Sequence, residues 1–180
     1  MCPVADDFDL PPALLPTDAE GYRRAWATIE SAWTATVERA RRFDETDLHR
    51  GVDGEWSFIQ TLRHLSYATA AWIERMVLGD PMPWHPLDLP WDEAPPMLGV
   101  THDRGVRPSL DEVLALRARR QATVRRVLAD VTEETITSTV TCDEPGWPRF
   151  TDASWRSCVL TVFNEEWCHR RFAERDLDRL

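Results

Sequence analysis

The chain contains no lysine: all 21 of its basic residues are arginine. Without a side-chain amine, every Schiff-base mechanism is excluded. Exposed helix positions accept lysine as readily as arginine, so the bias reflects a GC-rich genome rather than a physical requirement. Basic residues are also outnumbered, 31 acids against 21 arginines, for a net charge of −10. That leaves neither the clustered cations that nucleic-acid phosphates need nor a polybasic patch for an anionic membrane. Glycine is scarce, with 7 in 180 residues, which disfavours a barrel or sandwich with many tight turns. The four cysteines, Cys2, Cys142, Cys158 and Cys168, form no CxxC pair. No apolar run is long enough to span a bilayer. Residues 1–9 hold three acids and no base, so no secretory leader is expected. The expected setting is the cytoplasm, with the cysteines reduced.

What is present suits one globular domain over residues 1–180: 43% apolar and 29% charged residues, in a chain long enough to bury a substantial core. The first 16 residues, with Pro3, Pro11, Pro12 and Pro16, predict an extended N-terminal arm. Thr17-Asp18-Ala19-Glu20 reads as a capping box that opens a helix over about 18–42, striped by Tyr22, Trp26, Ile29, Trp33 and Val37. Ser57-Phe58-Ile59-Gln60 is a second box, for a helix over about 57–78 that stops at Gly79-Asp80-Pro81. Ser109-Leu110-Asp111-Glu112 is a third, for a helix over about 109–130. A last helix over about 153–175 carries Trp155, Val159, Val162, Phe163, Trp167 and Phe172. Four long helices and no internal repeat predict an all-α bundle.

Two irregular stretches interrupt the helices. Residues 79–108 hold seven prolines, Trp84, Trp91, His85 and His102. A connection that long is usually functional or disordered, and its tryptophans favour a packed loop over the end of the bundle. Residues 135–141, Thr-Ile-Thr-Ser-Thr-Val-Thr, predict a short strand or hairpin, with a turn at Pro145-Gly146-Trp147-Pro148.

The chemistry centres on the second and fourth helices. Glu165 and His169 stand four apart, so they share one helix face. Carboxylate and imidazole together suit zinc and neighbouring first-row metals, although the same spacing also describes a solvated surface pair. His64 sits mid-helix among leucines, where a histidine is usually a satisfied core residue. Bundle metal sites are nevertheless built from residues halfway along facing helices, and a Glu buried between histidines is costly unless a cation neutralises it. Glu166 becomes the ligand if the register shifts by one. Cys168 reads as a packing residue, His49 as solvated, and His85 and His102 as surface residues, with pocket lining or an extra metal ligand as the alternatives.

Gly54-Glu55-Trp56-Ser57 with Thr61-Leu62-Arg63-His64-Leu65 resembles the opening of the second helix in the DinB superfamily. Glu165-Glu166-Trp167-Cys168-His169, followed by residues 172–177, resembles its closing metal-ligand helix. The resemblance covers about residues 17–178. It implies an up-down-down-up four-helix bundle with a long loop between helices 2 and 3, and a metal held by three side chains. A Glu in the middle place is similar to the mycothiol-dependent maleylpyruvate isomerase branch, whose ligands fall on His64, Glu165 and His169. That branch carries a further C-terminal domain after the point where this chain reaches Leu180, so the expectation extends to the site and not to isomerisation. The resemblance further implies zinc or nickel, and a low-molecular-weight thiol such as mycothiol as co-substrate. The packed 79–108 loop is expected to hold the small molecules, with Trp84 or Trp91 contributing to the pocket wall. The function so implied is a metal-dependent thiol S-transferase acting on a small electrophile. A metal-dependent hydrolase and a non-catalytic, metal-stabilised bundle acting as a stress or interaction protein through homodimerisation are the alternatives. No catalytic residue beyond the ligands is assigned.

Overall fold

The computed structural model describes residues 8–180, so Cys2 and the start of the N-terminal arm lie outside the described residues. The described part of the arm is not simply extended. A 3-10 turn at Pro12–Leu14 tucks Leu10 and Leu14 into the core.

Helix α1 spans Ala19–Ala40. Its cap is Asp18 rather than the expected Thr17: Asp18 Oδ1 accepts from the Gly21 backbone N–H at 2.6 Å. A carboxylate there also meets the positive end of the helix dipole, which a hydroxyl does not. A short α2 at Glu45–Leu48 follows. Helix α3, Phe58–Thr69, has the predicted capping box, with Ser57 and Gln60 exchanging bonds of 3.2 and 3.0 Å. It continues without a break as a π-helix over Ala70–Val77, and Gly79 ends it at a φ of 73°. Helix α4, Leu110–Ala129, has the Ser109/Glu112 box. Helix α6, Trp155–Leu177, is capped by Ser154.

The chain is mostly helical but not wholly so. Thr132 caps a short α5 at Glu133–Thr137, which takes the first half of the β-branched run. The second half forms strand β1, Thr139–Cys142, antiparallel to β2 at Phe150–Ser154. The run divides because the Thr132 hydroxyl satisfies the backbone N–H of Thr135, and that bond belongs to a helix start rather than a ladder.

Helix α1 packs on α6 and α4, and α3 packs on the same two. One apolar cluster joins them, including Trp26 and Ile29 of α1, Leu62 of α3, Val124 of α4 and Phe163 of α6. Within it Tyr22 meets Trp155 edge-on at 5.3 Å and Trp26 stacks on Phe163 at 5.5 Å. Phe172, one of the apolar positions of α6, is 47% exposed. Among the described residues no helix is long and apolar enough to cross a membrane.

The 79–108 loop is held from beneath by buried polar groups. The Arg63 guanidinium, 0% exposed, donates to the carbonyls of Leu87 and Asp103, both at 2.8 Å. Asp88, also 0% exposed, accepts from the His85 backbone N–H at 2.8 Å and from Arg120 at 3.0 Å. Burial pushes the Asp88 carboxyl up to about 7, against the His85 hydrogen bond and the charge of Arg63. An unfolded aspartate releases its proton near pH ~4. Between about pH 4 and 7 the folded chain therefore holds a proton that the unfolded chain has lost, and this group's contribution to stability falls as the pH rises. Thermal melts across that range should show a shallower decline for Asp88→Asn, which cannot ionise, than for the wild type.

Candidate metal centre

Helix α6 carries Glu165 and His169 one turn apart, and α3 brings His64 across from the neighbouring helix. The three side chains offer ligand atoms that all lie within 4.8 Å of one another. Glu165 Oε2 is 3.0 Å from His169 Nε2 and 3.3 Å from His64 Nε2. One carboxylate oxygen is thus shared by two imidazole nitrogens, with His64 buried and the other two half-buried.

The hydrogen bond on the far side of His64 decides what that sharing means. His64 Nδ1 lies 3.0 Å from the Leu89 carbonyl oxygen. A carbonyl only accepts, so Nδ1 carries the proton. In a neutral ring the Nε2 facing Glu165 is then a bare lone pair opposite a carboxylate lone pair. The arrangement calls for positive charge at its centre, either a proton on the imidazole or a cation among the three groups. Burial pushes the Glu165 carboxyl up, but hydrogen bonds and charge from His169 and His64 outweigh it and hold the group well below the usual carboxylate range. The donor set of two imidazoles and one carboxylate, with a backbone carbonyl orienting one ring, fits a divalent first-row metal.

A cavity of about 310 Å³ opens beside the cluster. Its walls are chiefly aromatic: Trp56, Tyr67, Trp72, Trp91, Trp147 and Phe172. Trp56 lies with its ring centroid 4.5 Å from that of His64, stacks on His169 at 5.9 Å, and donates from Nε1 to Asp92 at 2.8 Å. Of the two loop tryptophans, Trp91 lines the cavity, while Trp84 stacks on Tyr67 at 5.6 Å and is absent from the lining. A more open and more polar cleft of about 360 Å³ shares Trp56, His169 and Phe172 with the cavity. Its other walls include Glu55, Asp92 and Asp176.

Trp147 reaches the cavity from the connection between β1 and β2, and Arg75 of the π-helix fixes that connection. The Arg75 guanidinium, 0% exposed, donates to the carbonyls of Pro148 at 2.9 Å, Glu144 at 2.7 Å and Pro145 at 3.2 Å, and also to that of Pro81. Gly146 lies against it at a φ of 124°, where an added Cβ would approach Arg75 to 3.2 Å.

The remaining sequence candidates fall outside the cluster. Glu166 is buried and bound to Arg117 at 2.9 Å, which fixes the α6 register with Glu165 inward toward His64. Cys168 lines the cavity. His49 is half-buried and less solvated than expected, its Nε2 donating to the Pro108 carbonyl at 2.9 Å. His85 accepts from the Leu87 backbone N–H and His102 is exposed. Leu89, Trp147 and the exposed Phe172 were not legible as site residues. Leu89 acts through its backbone, and the pairing of β1 with β2 that delivers Trp147 has no short-range signal. Trp56 did carry one, in the Gly54-Glu55-Trp56-Ser57 motif.

Chelation should lower the melting temperature of the wild type, because a ligand that binds only the folded state adds stability by mass action. His64→Ala and His169→Ala should purify with much less metal and respond little to the same chelator, and Glu165→Gln should lose affinity with its charge. Glu166→Gln should instead destabilise by roughly 3 kcal/mol, since a buried Arg117 loses its counter-charge, while the folded fraction keeps its metal. Elemental analysis and thermal melts read both effects. Arg75→Ala should also cost about 3 kcal/mol or more, because several buried carbonyls lose their donor at once. Its tryptophan emission should shift to the red as the 144–148 segment loosens.

The model for the DinB superfamily matches residues 28–173, a span that includes His64, Glu165 and His169. Comparison with curated proteins and with solved structures finds no match. With the match running from α1 to the end of the cluster on α6, the chain belongs to the DinB superfamily.

Proposed function

We propose that the chain is an up-down-down-up four-helix protein that holds one divalent metal, zinc or nickel, on His64, Glu165 and His169 and joins a small thiol of the mycothiol type to an electrophile. The observation that carries this reading is that two cavities of different chemistry meet at His169. A transferase must hold two molecules against one reactive point. A hydrolase would use one cavity and water, and a bundle serving only as a stress or interaction protein would use neither.

A divalent cation held by these ligands supplies Lewis acidity and favours the deprotonated form of a thiol brought to it. The chain's own groups do the rest. The Leu89 carbonyl holds the His64 ring with Nε2 toward the cluster. Glu165 limits the net charge there. Glu55, Asp92 and Asp176 line the polar cleft, and their carboxylates retain acceptor lone pairs for the hydroxyls or amine of a hydrophilic thiol. Trp91, Trp147 and Trp72 exclude water from the electrophile's side. The thiol proton leaves through the open cleft. The sulfur then forms a bond to the electrophilic carbon, and the leaving group departs with its electron pair.

Calorimetric titration of the metal-loaded protein with mycothiol should give saturable binding at one site per metal, lost in His169→Ala. Full metal occupancy with no binding heat would return the reading to a metal-stabilised bundle without thiol chemistry.

A further inference from the structure

We propose that the aromatic cavity selects an uncharged, flat, apolar molecule, the size of a small fused-ring aromatic, and rejects a dicarboxylate. What then happens to that molecule rests on the transferase reading; its recognition rests on the walls alone.

The walls come first. Trp147 stands at 61° to Trp91 with centroids 4.8 Å apart, at 80° to Trp72 at 5.7 Å, and nearly parallel to Tyr67 at 6.2 Å. These rings come from the long loop, the β1–β2 connection, the π-helix and α3, so planar surfaces bound the space from several directions. Flat apolar guests match such walls by offset stacking and edge contacts. A volume of about 310 Å³ is at the small end of ligand sites.

Charge decides the second half. The chain has 21 arginines, yet none is among the described residues lining the cavity. The two fully buried guanidiniums of the supporting segments are spent elsewhere, Arg63 on the carbonyls of Leu87 and Asp103 and Arg75 on those of Pro148, Glu144 and Pro145. The cavity's α6 wall offers the neutral Thr161 and Asn164, and the Thr161 hydroxyl already donates to the Ser157 carbonyl at 2.8 Å. An anionic group entering this cavity would be desolvated with no arginine to pair with.

The test is a matched pair of naphthalenes, 2-methoxynaphthalene and naphthalene-2,6-dicarboxylate, titrated by calorimetry into the full chain freed of metal. The neutral probe should bind at least tenfold more tightly than the dicarboxylate. Trp147→Ala and Trp91→Ala should each weaken it at least tenfold at unchanged helical content. Ala68→Leu, which fills the cavity from α3 and leaves every ring in place, should abolish it. Equal or tighter binding of the dicarboxylate overturns the proposal. So does failure of the neutral probe to bind, or neutral-probe binding that Ala68→Leu leaves unchanged. A chain that holds no metal would sink the transferase reading, while the probe affinities would still decide the cavity's preference.

Discussion

Glu165 Oε2 faces two imidazole nitrogens at 3.0 and 3.3 Å, and much of the site follows from how that contact is made tolerable. The Leu89 carbonyl commits one of those rings to present a lone pair rather than a proton when neutral. Positive charge must then be supplied from outside the three side chains, as a proton or as a metal. A carboxylate with so little access to water would be costly for a small protein without such compensation. The aromatic residues around it raise the stakes, because they remove the water that would otherwise screen the charges.

The irregular segments owe their shape to arginine rather than to apolar packing alone. Arg63 and Arg75 sit on the α3 and π-helix rod and send their guanidiniums to main-chain carbonyls of the segments above. A planar fork with five donors can satisfy several carbonyls that no ladder or helix would reach. Lysine, with three donors on a compact ammonium, would satisfy fewer. The same use of arginine leaves the cavity wall without cations.

Much of the scaffold was legible because its signals are local. Capping boxes at Ser57 and Ser109 and the apolar stripes set helix limits to within a few residues, and an i,i+4 spacing put Glu165 and His169 on one face. The error at Thr17 arose because two adjacent residues could both cap, and the better-placed carboxylate of Asp18 won. The parts that were not legible depend on contacts between distant segments. The threonine-rich run could not disclose where α5 would end and β1 begin, since that boundary depends on β2 eleven or so residues later. Trp147 reads as turn material until Arg75 is seen holding its neighbours. Leu89 takes part through a carbonyl that every residue possesses.

The π-helix at Ala70–Val77 has a consequence for how the cavity wall is built. Tyr67 and Trp72 both line that wall, yet they stand five residues apart. On an ordinary α-helix five steps of about 100° would carry the second side chain roughly 140° away from the first. A helix whose hydrogen bonds reach back five residues, as Leu78 does to Ile73 at 2.9 Å, brings such positions back toward alignment. The widened turn therefore acts as a rotary offset within one continuous rod. It keeps Trp72 toward the cavity and Arg75 toward the segment overhead. Loss of one residue from within this turn would be absorbed by a return to ordinary α-helical winding, with both side chains still on their present faces.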